Sequence, residues 1–140
     1  MTTARNLQDL KAWLITHKQD AAFGSPASGS VLHFSGILFA DAAKIELRHV
    51  PYRGSSPLLN DLVAGQVPLA STSLADVVQL HKSGRLRILA TTGEQRSLFT
   101  PDVSTYREQG YDIAAEAWFA MYAPAGTPQE MISKVESIVI

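Results

Sequence analysis

The 140-residue chain has no cysteine. That excludes disulfides, thiolate nucleophiles and cysteine-bound metals, and leaves the redox compartment open. Charge is sparse: charged residues make up 18%, the formal net charge is −1, and the basic residues are scattered. Such a chain lacks the basic stripe that nucleic acid requires. No apolar run approaches the length of a membrane span, and Met1-Thr2-Thr3-Ala4-Arg5-Asn6 has no apolar core of an export signal. His17, His33, His49 and His81 share no metal-ligand spacing and no acidic cluster, so neither a metal nor another cofactor is expected. The dinucleotide fingerprint G-x-G-x-x-G is missing, as is the lysine of a phosphate-binding loop. There is no fixed-period repeat and no low-complexity tract.

What is present is a globular composition, with 46% hydrophobic residues and a length that suits one core. Asn6 is a suitable N-cap, and Leu7, Leu10, Leu14 and Ile15 follow at helical spacing, predicting a helix over 7–18. Residues 21–25 read as a short buried strand. The next helix, 28–43, would turn Val31, Phe34 and Leu38 inward with Leu32 and Phe39 beside them. Residues 45–50 alternate as a strand. Pro57 suits a first helical turn behind Ser55 and Ser56 as caps, with Leu58, Leu59, Leu62 and Val63 inward and Gly65 as the stop. Residues 67–71 form the next strand, where Pro68 removes a ladder donor. A helix from Leu74 stops at Gly84, and 86–91 reads most plainly of all as a strand. Residues 93–102 read as a loop, 103–109 as a short helix, and 117–123 as a strand whose Trp118, Phe119 and Tyr122 belong to the core. A turn through Pro124 and Pro128 then leads to a last helix from Gln129. This alternation, with loops of two to six residues, is the signature of a doubly wound, mostly parallel α/β sheet flanked by helices.

Three of its loops follow strands and open helices. Ser25, Ser28, Gly29 and Ser30 lie in the first, Arg53, Gly54 and Ser55 in the second, and Ser71, Thr72 and Ser73 in the third. They would share the sheet edge where open α/β folds bind ligands. Backbone N–H groups and hydroxyls there converge at positive helix ends, which favours an anion. Plain helix capping explains the same glycines and serines, and the residues leave both readings open. Arg53 could clasp a carboxylate or lie exposed on a turn. A hydrogen-bonded His33 is the simpler reading than a catalytic base, since no serine or aspartate pattern accompanies it. Glu116 is a lone carboxylate. Nothing has the arrangement of a nucleophile, so no enzyme is expected.

The order of blocks is more specific. His49-Val50-Pro51-Tyr52-Arg53-Gly54-Ser55-Ser56-Pro57 is followed by Ser83-Gly84-Arg85-Leu86-Arg87-Ile88-Leu89-Ala90-Thr91, by Pro101-Asp102-Val103, and by Ala123-Pro124-Ala125-Gly126-Thr127-Pro128. From Leu7 onward this series resembles the Bug-type receptors, the periplasmic solute-binding proteins of tripartite tricarboxylate transporters. The resemblance implies one lobe of a type II periplasmic-binding-protein clamshell. Residues 1–116 would be the second, ligand-binding lobe, and 117–140 the crossing strand and the start of a helix returning to the first lobe. It further implies a small carboxylate or related organic solute as ligand, held by the ten loop residues just named. Membrane components of the transporter would be partners, and the location periplasmic. Ser137-Ile138-Val139-Ile140, apolar and uncapped, reads as the end of a fragment. A fragment would expose apolar surface, so a second expectation is a homodimer whose main property is self-association without a ligand. A third is a small hydrolase or transferase that uses His33.

Overall fold

The computed structural model describes residues 3–117 and 120–139. Helix α1, Leu7–Thr16, begins at the expected cap: Asn6 Oδ1 accepts the Asp9 amide at 2.8 Å, while the Asp9 carboxylate accepts the Arg5 amide at 3.0 Å. Two amides at the helix start are thereby satisfied reciprocally. The helix stops two residues short of the expected end. There the Thr16 hydroxyl donates to the Trp13 carbonyl, and the stacked His17 ring also bonds that oxygen, both at 2.9 Å.

The centre of the fold is β1, Ala22–Ser25, buried along its whole length. It pairs in parallel with β2, Arg48–Pro51, in register from Ala22 opposite Arg48 to Ser25 opposite Pro51. Along its other edge, the Gly24 amide donates to Leu69 O and the Ser71 amide to Gly24 O, both at 2.9 Å. That is a single parallel bridge, Gly24 to Ala70, rather than the strand expected over 67–71.

Helix α2, Val31–Ala43, begins three residues later than expected, with Ser30 as its N-cap. Its inward face also differs. Ser35, Gly36, Phe39 and Ala43 are buried, whereas Val31, Phe34 and Leu38 are exposed. The helix is apolar around most of its circumference, so spacing does not reveal the contact face. Size does: the ring of Phe23 from β1 occupies the space that a Cβ at Gly36 would fill. Helix α3, Ser55–Ala64, is capped by Gly54 at φ +105°, not by Ser55 or Ser56. It buries Leu58 and ends at Gly65 as read. Helix α4 spans Leu74–Lys82 and α5 spans Gln129–Val139.

The strand expected over 86–91 does not form. The Leu86 amide donates to Leu80 O at 3.1 Å and the Ile88 amide to His81 Nδ1 at 3.3 Å, so two ladder donors are used locally. Only Thr91 bridges, in parallel with Thr105. A cavity of about 520 Å³ separates this segment from α2 and residues 68–72. The Thr72 and Thr91 hydroxyls on its wall have no hydrogen-bond partner among the described residues. The short helix expected at 103–109 reduces to a 3-10 turn, Arg107–Gln109, ended by Gly110 at φ +87°. A capping box supports it: the Glu108 amide donates to Thr105 Oγ1 and the Thr105 amide to Glu108 Oε2. In the expected strand 117–123, residue 117 and residues 120–123 are irregular, and Tyr122 is 85% exposed rather than core. Trp118 and Phe119 lie outside the described residues. The main core joins Leu7, Leu10 and Leu14 of α1 to Phe39, Ala43, Tyr111 and Ile113.

The Gly36 contact yields a test. Gly36→Val would force the Phe23 ring off the centre of the sheet, an overpacking change that typically costs about 1–3 kcal/mol. Urea unfolding should show that loss; a variant as stable as the parent would contradict the packing described.

Candidate functional site

The parallel pairing of β1 with β2 brings two loops to one edge, and the bridge at Ala70 adds the third. They are tied to one another directly. The Tyr52 amide donates to Ser25 O at 3.0 Å, and the Gly54 amide to Pro26 O at 2.9 Å. Across to α4, the Ser55 hydroxyl donates to Asp76 Oδ2 at 2.6 Å. The Tyr52 hydroxyl donates to Asp61 at 2.9 Å, which pins the second loop onto α3. Burial first, and then this bond to Asp61, hold the Tyr52 phenol above its ordinary value.

Several of the ten residues named from sequence use their donors inside the protein. Ser25 is fully buried, and its hydroxyl lies 2.8 Å from His49 Nε2. The Gly29 amide donates to His33 Nδ1 at 3.1 Å. Ser30 is the α2 cap: its hydroxyl accepts the His33 amide at 3.3 Å and donates to Ala27 O at 2.8 Å. The Gly54 amide and the Ser55 hydroxyl are engaged as described above. Other donors remain available. The amides of Val31 and Leu32 at α2, of Ser55 and Ser56 at α3, and of Leu74 and Ala75 at α4 have no partner among the described residues. Ser28 is exposed in the first loop, and Arg53 in the second forms no ion pair among the described residues. Ser71 and Thr72 face the cavity, and Ser73 is the N-cap of α4 without a side-chain capping bond. Three helix starts thus surround one edge, with unused amides at each and a cation in the middle loop, an arrangement that suits an anionic oxygen ligand.

One cluster went unread in the sequence. The rings of His33 and His49 stack with centroids 3.9 Å apart, and Phe23 packs against both, at 6.2 and 5.1 Å. Burial, and secondarily the neighbouring His33, lower the His49 pKa below the ordinary 6.5. The available signal was that His33 sits one turn into α2 while His49 alternates inward in β2, opposite Phe23. His33 has no serine or carboxylate partner of the kind a catalytic base requires among the described residues.

Comparisons with known proteins bear on the family and the fold. Residues 2–139 match the family model described as tripartite tricarboxylate transporter family receptor. The chain is 36% identical to protein BugT of Bordetella pertussis over 114 residues, covering 81% of this chain and 35% of BugT. Among solved structures, an R. palustris protein with adipate is similar at 30% identity and a TM-score of 0.89, covering 98% of this chain and 46% of that one. MatC from Rhodopseudomonas palustris, with bound malate, is similar at 26% identity and a TM-score of 0.85, covering 99% of this chain and 48% of MatC. The chain spans about half the length of these solved structures and about a third of BugT. The fold is that of periplasmic binding proteins of this type, and the chain belongs to the tripartite tricarboxylate transporter receptor family.

Proposed function

We propose that this chain is the second lobe of a periplasmic solute receptor, residues 1–116 forming one wall of a clamshell that takes a small carboxylate for delivery to a tripartite transporter. The observation that carries this reading is the edge itself: three helix starts with unused amides, grouped around Arg53. Residues 117–140 then form the passage back toward the first lobe. The reading draws support from relatives solved with a six-carbon dicarboxylate and with malate. The contacts assigned to the ligand are the free donors of the three loops, with Ser28, Arg53, Ser71, Thr72 and Ser73 offering side chains. Ser25, Gly29, Ser30, Gly54 and Ser55 shape the loops that present them. The chemistry is binding, without bond making.

A pocket normally encloses about 70–90% of a small ligand, and one wall covers only part of that. The chain alone should therefore bind malate or adipate with a Kd on the order of a millimolar or weaker. A charge-assisted hydrogen bond contributes about 1.5–3 kcal/mol, so Arg53→Ala should weaken binding by roughly tenfold or more. Ser28→Glu should repel the anion and act the same way, with the sheet intact by circular dichroism. A bulky residue at Gly29, such as Gly29→Leu, should also block approach. Calorimetry that gives micromolar affinity to the isolated chain, or variants that bind as the parent does, would contradict the proposal.

A second reading, self-association, is favoured by α5. Its Met131, Val135 and Ile138 lie at helical spacing and are exposed, as are Val31, Phe34 and Leu38 on α2. Contiguous apolar patches of this kind seldom stay wet on a soluble monomer. A homodimer that exchanges the C-terminal segment covers them. Light scattering should report a mass that rises with concentration, and Val135→Lys should return it to the monomer. A constant monomer mass at high concentration would rule this reading out.

A further inference from the structure

We propose that His33 is a positioning residue of the carboxylate site and acts as a proton-controlled latch: neutral His33 holds the Gly29 amide away from ligand, and protonation of its ring releases it. The inference rests on the carboxylate reading above for its purpose, but its geometry stands apart from that reading. Gly29 N–H donates to His33 Nδ1 at 3.1 Å, which requires that nitrogen to carry a lone pair and places the ring proton on Nε2. A proton added at Nδ1 turns the acceptor into a donor. Two donors then face each other and the bond cannot persist.

The loop has both the anchor and the room for such a change. Its first residue, Ser25, is fully buried and bonded to His49 Nε2, so that end stays in place. Near its other end, Gly29 has φ +78° and open space on its Cβ side, while Ser30 holds the α2 cap through its bonds to Ala27 O and the His33 amide. In the proposed latch, release turns the Gly29 amide toward the free Val31 and Leu32 amides at the α2 start. An imidazolium on the first turn of α2 adds a positive charge beside them.

The two rings stack at 3.9 Å, so charging both would set like charges face to face, and a second proton on the pair is disfavoured. Burial, and then the neighbouring His33, lower the His49 pKa. The groups packed against the pair are Phe23 from β1, Phe34 from α2 and the loop itself. Among the described residues no carboxylate, lysine or arginine bonds to either ring, and the titratable neighbour of each is the other. With the ligand held in its fully ionised form, binding should strengthen as the pH falls and the His33 ring takes up its proton, by at most tenfold per pH unit, the limit for one linked proton.

The test is a pH titration of the ¹⁵N-labelled 140-residue chain by NMR, with no ligand needed. The Gly29 amide signal should move with the same one-proton curve as the His33 ring. His33→Gln keeps an acceptor without the proton and should leave Gly29 flat. His33→Phe keeps the ring stack, removes the acceptor, and should fix Gly29 in the released position at every pH. A Gly29 signal that stays flat while His33 titrates would overturn the latch. So would unchanged titration of Gly29 in both variants. A second arm measures malate and adipate binding by calorimetry in buffers of different ionisation enthalpy. Uptake of up to one proton, absent in His33→Gln, is the expected result. Binding without proton uptake overturns the latch and leaves the carboxylate reading standing. Failure to bind either acid at any pH, even at acid concentrations far above the millimolar range, with the Gly29 titration present, refutes the carboxylate reading and supports the latch as a property of the loop.

Discussion

The structure depends on the pairing of one short strand with its two neighbours. β1 is bonded on both sides: Ser25 O accepts the Tyr52 amide and the preceding Ala21 O the Arg48 amide on one edge, while Gly24 donates to Leu69 O and accepts from the Ser71 amide on the other. Buried backbone groups must find partners, and here that requirement aligns three chain segments in parallel. Parallel alignment in turn places the ends of all three segments at one edge, followed by three helix starts. Neither the loops nor Arg53 need to be arranged separately. They arrive together because β1 is satisfied on both sides.

The small residues of β1 and α2 make this possible. A Cβ at Gly24 would run into Leu58, and one at Gly36 into Phe23. Each glycine lets a helix approach the strand closely. The same closeness stacks His33 on His49 and puts the first loop within reach of an imidazole. Packing at the centre of the sheet and the hydrogen bonding of the loop are thus one arrangement.

Much of this was legible from the residues alone. The Asn6 cap, the buried β1 and the Gly65 stop all act within a few residues of chain, so local chemistry decides them, whereas the strand expected over 45–50 forms as Arg48–Pro51. The inward face of α2 was not legible, because apolar side chains ring that helix and only the fit of Phe23 against Gly36 selects one side. The segment 86–91 has strand composition but lacks a free ladder, since Leu80 and His81 capture two of its amides. Tyr122 looked like core by type and is exposed by position. At the site, the sequence located the three loops, but it could not separate donors that face outward from donors used within. Gly29 and Ser55 have partners four and twenty-one residues away, and the second of these requires knowledge of how α3 meets α4.

The proposed placement of an anion at the sheet edge is the central claim. It is tested most directly by mapping amide shift changes across the ¹⁵N-labelled chain as malate is added. The account predicts saturable changes grouped at Ser28 to Leu32, at Arg53 to Ser56 and at Ser71 to Ala75, with α1 unaffected. Changes confined to residues 85–93 beside the interior cavity, or none at the three loops at saturating malate, would contradict it.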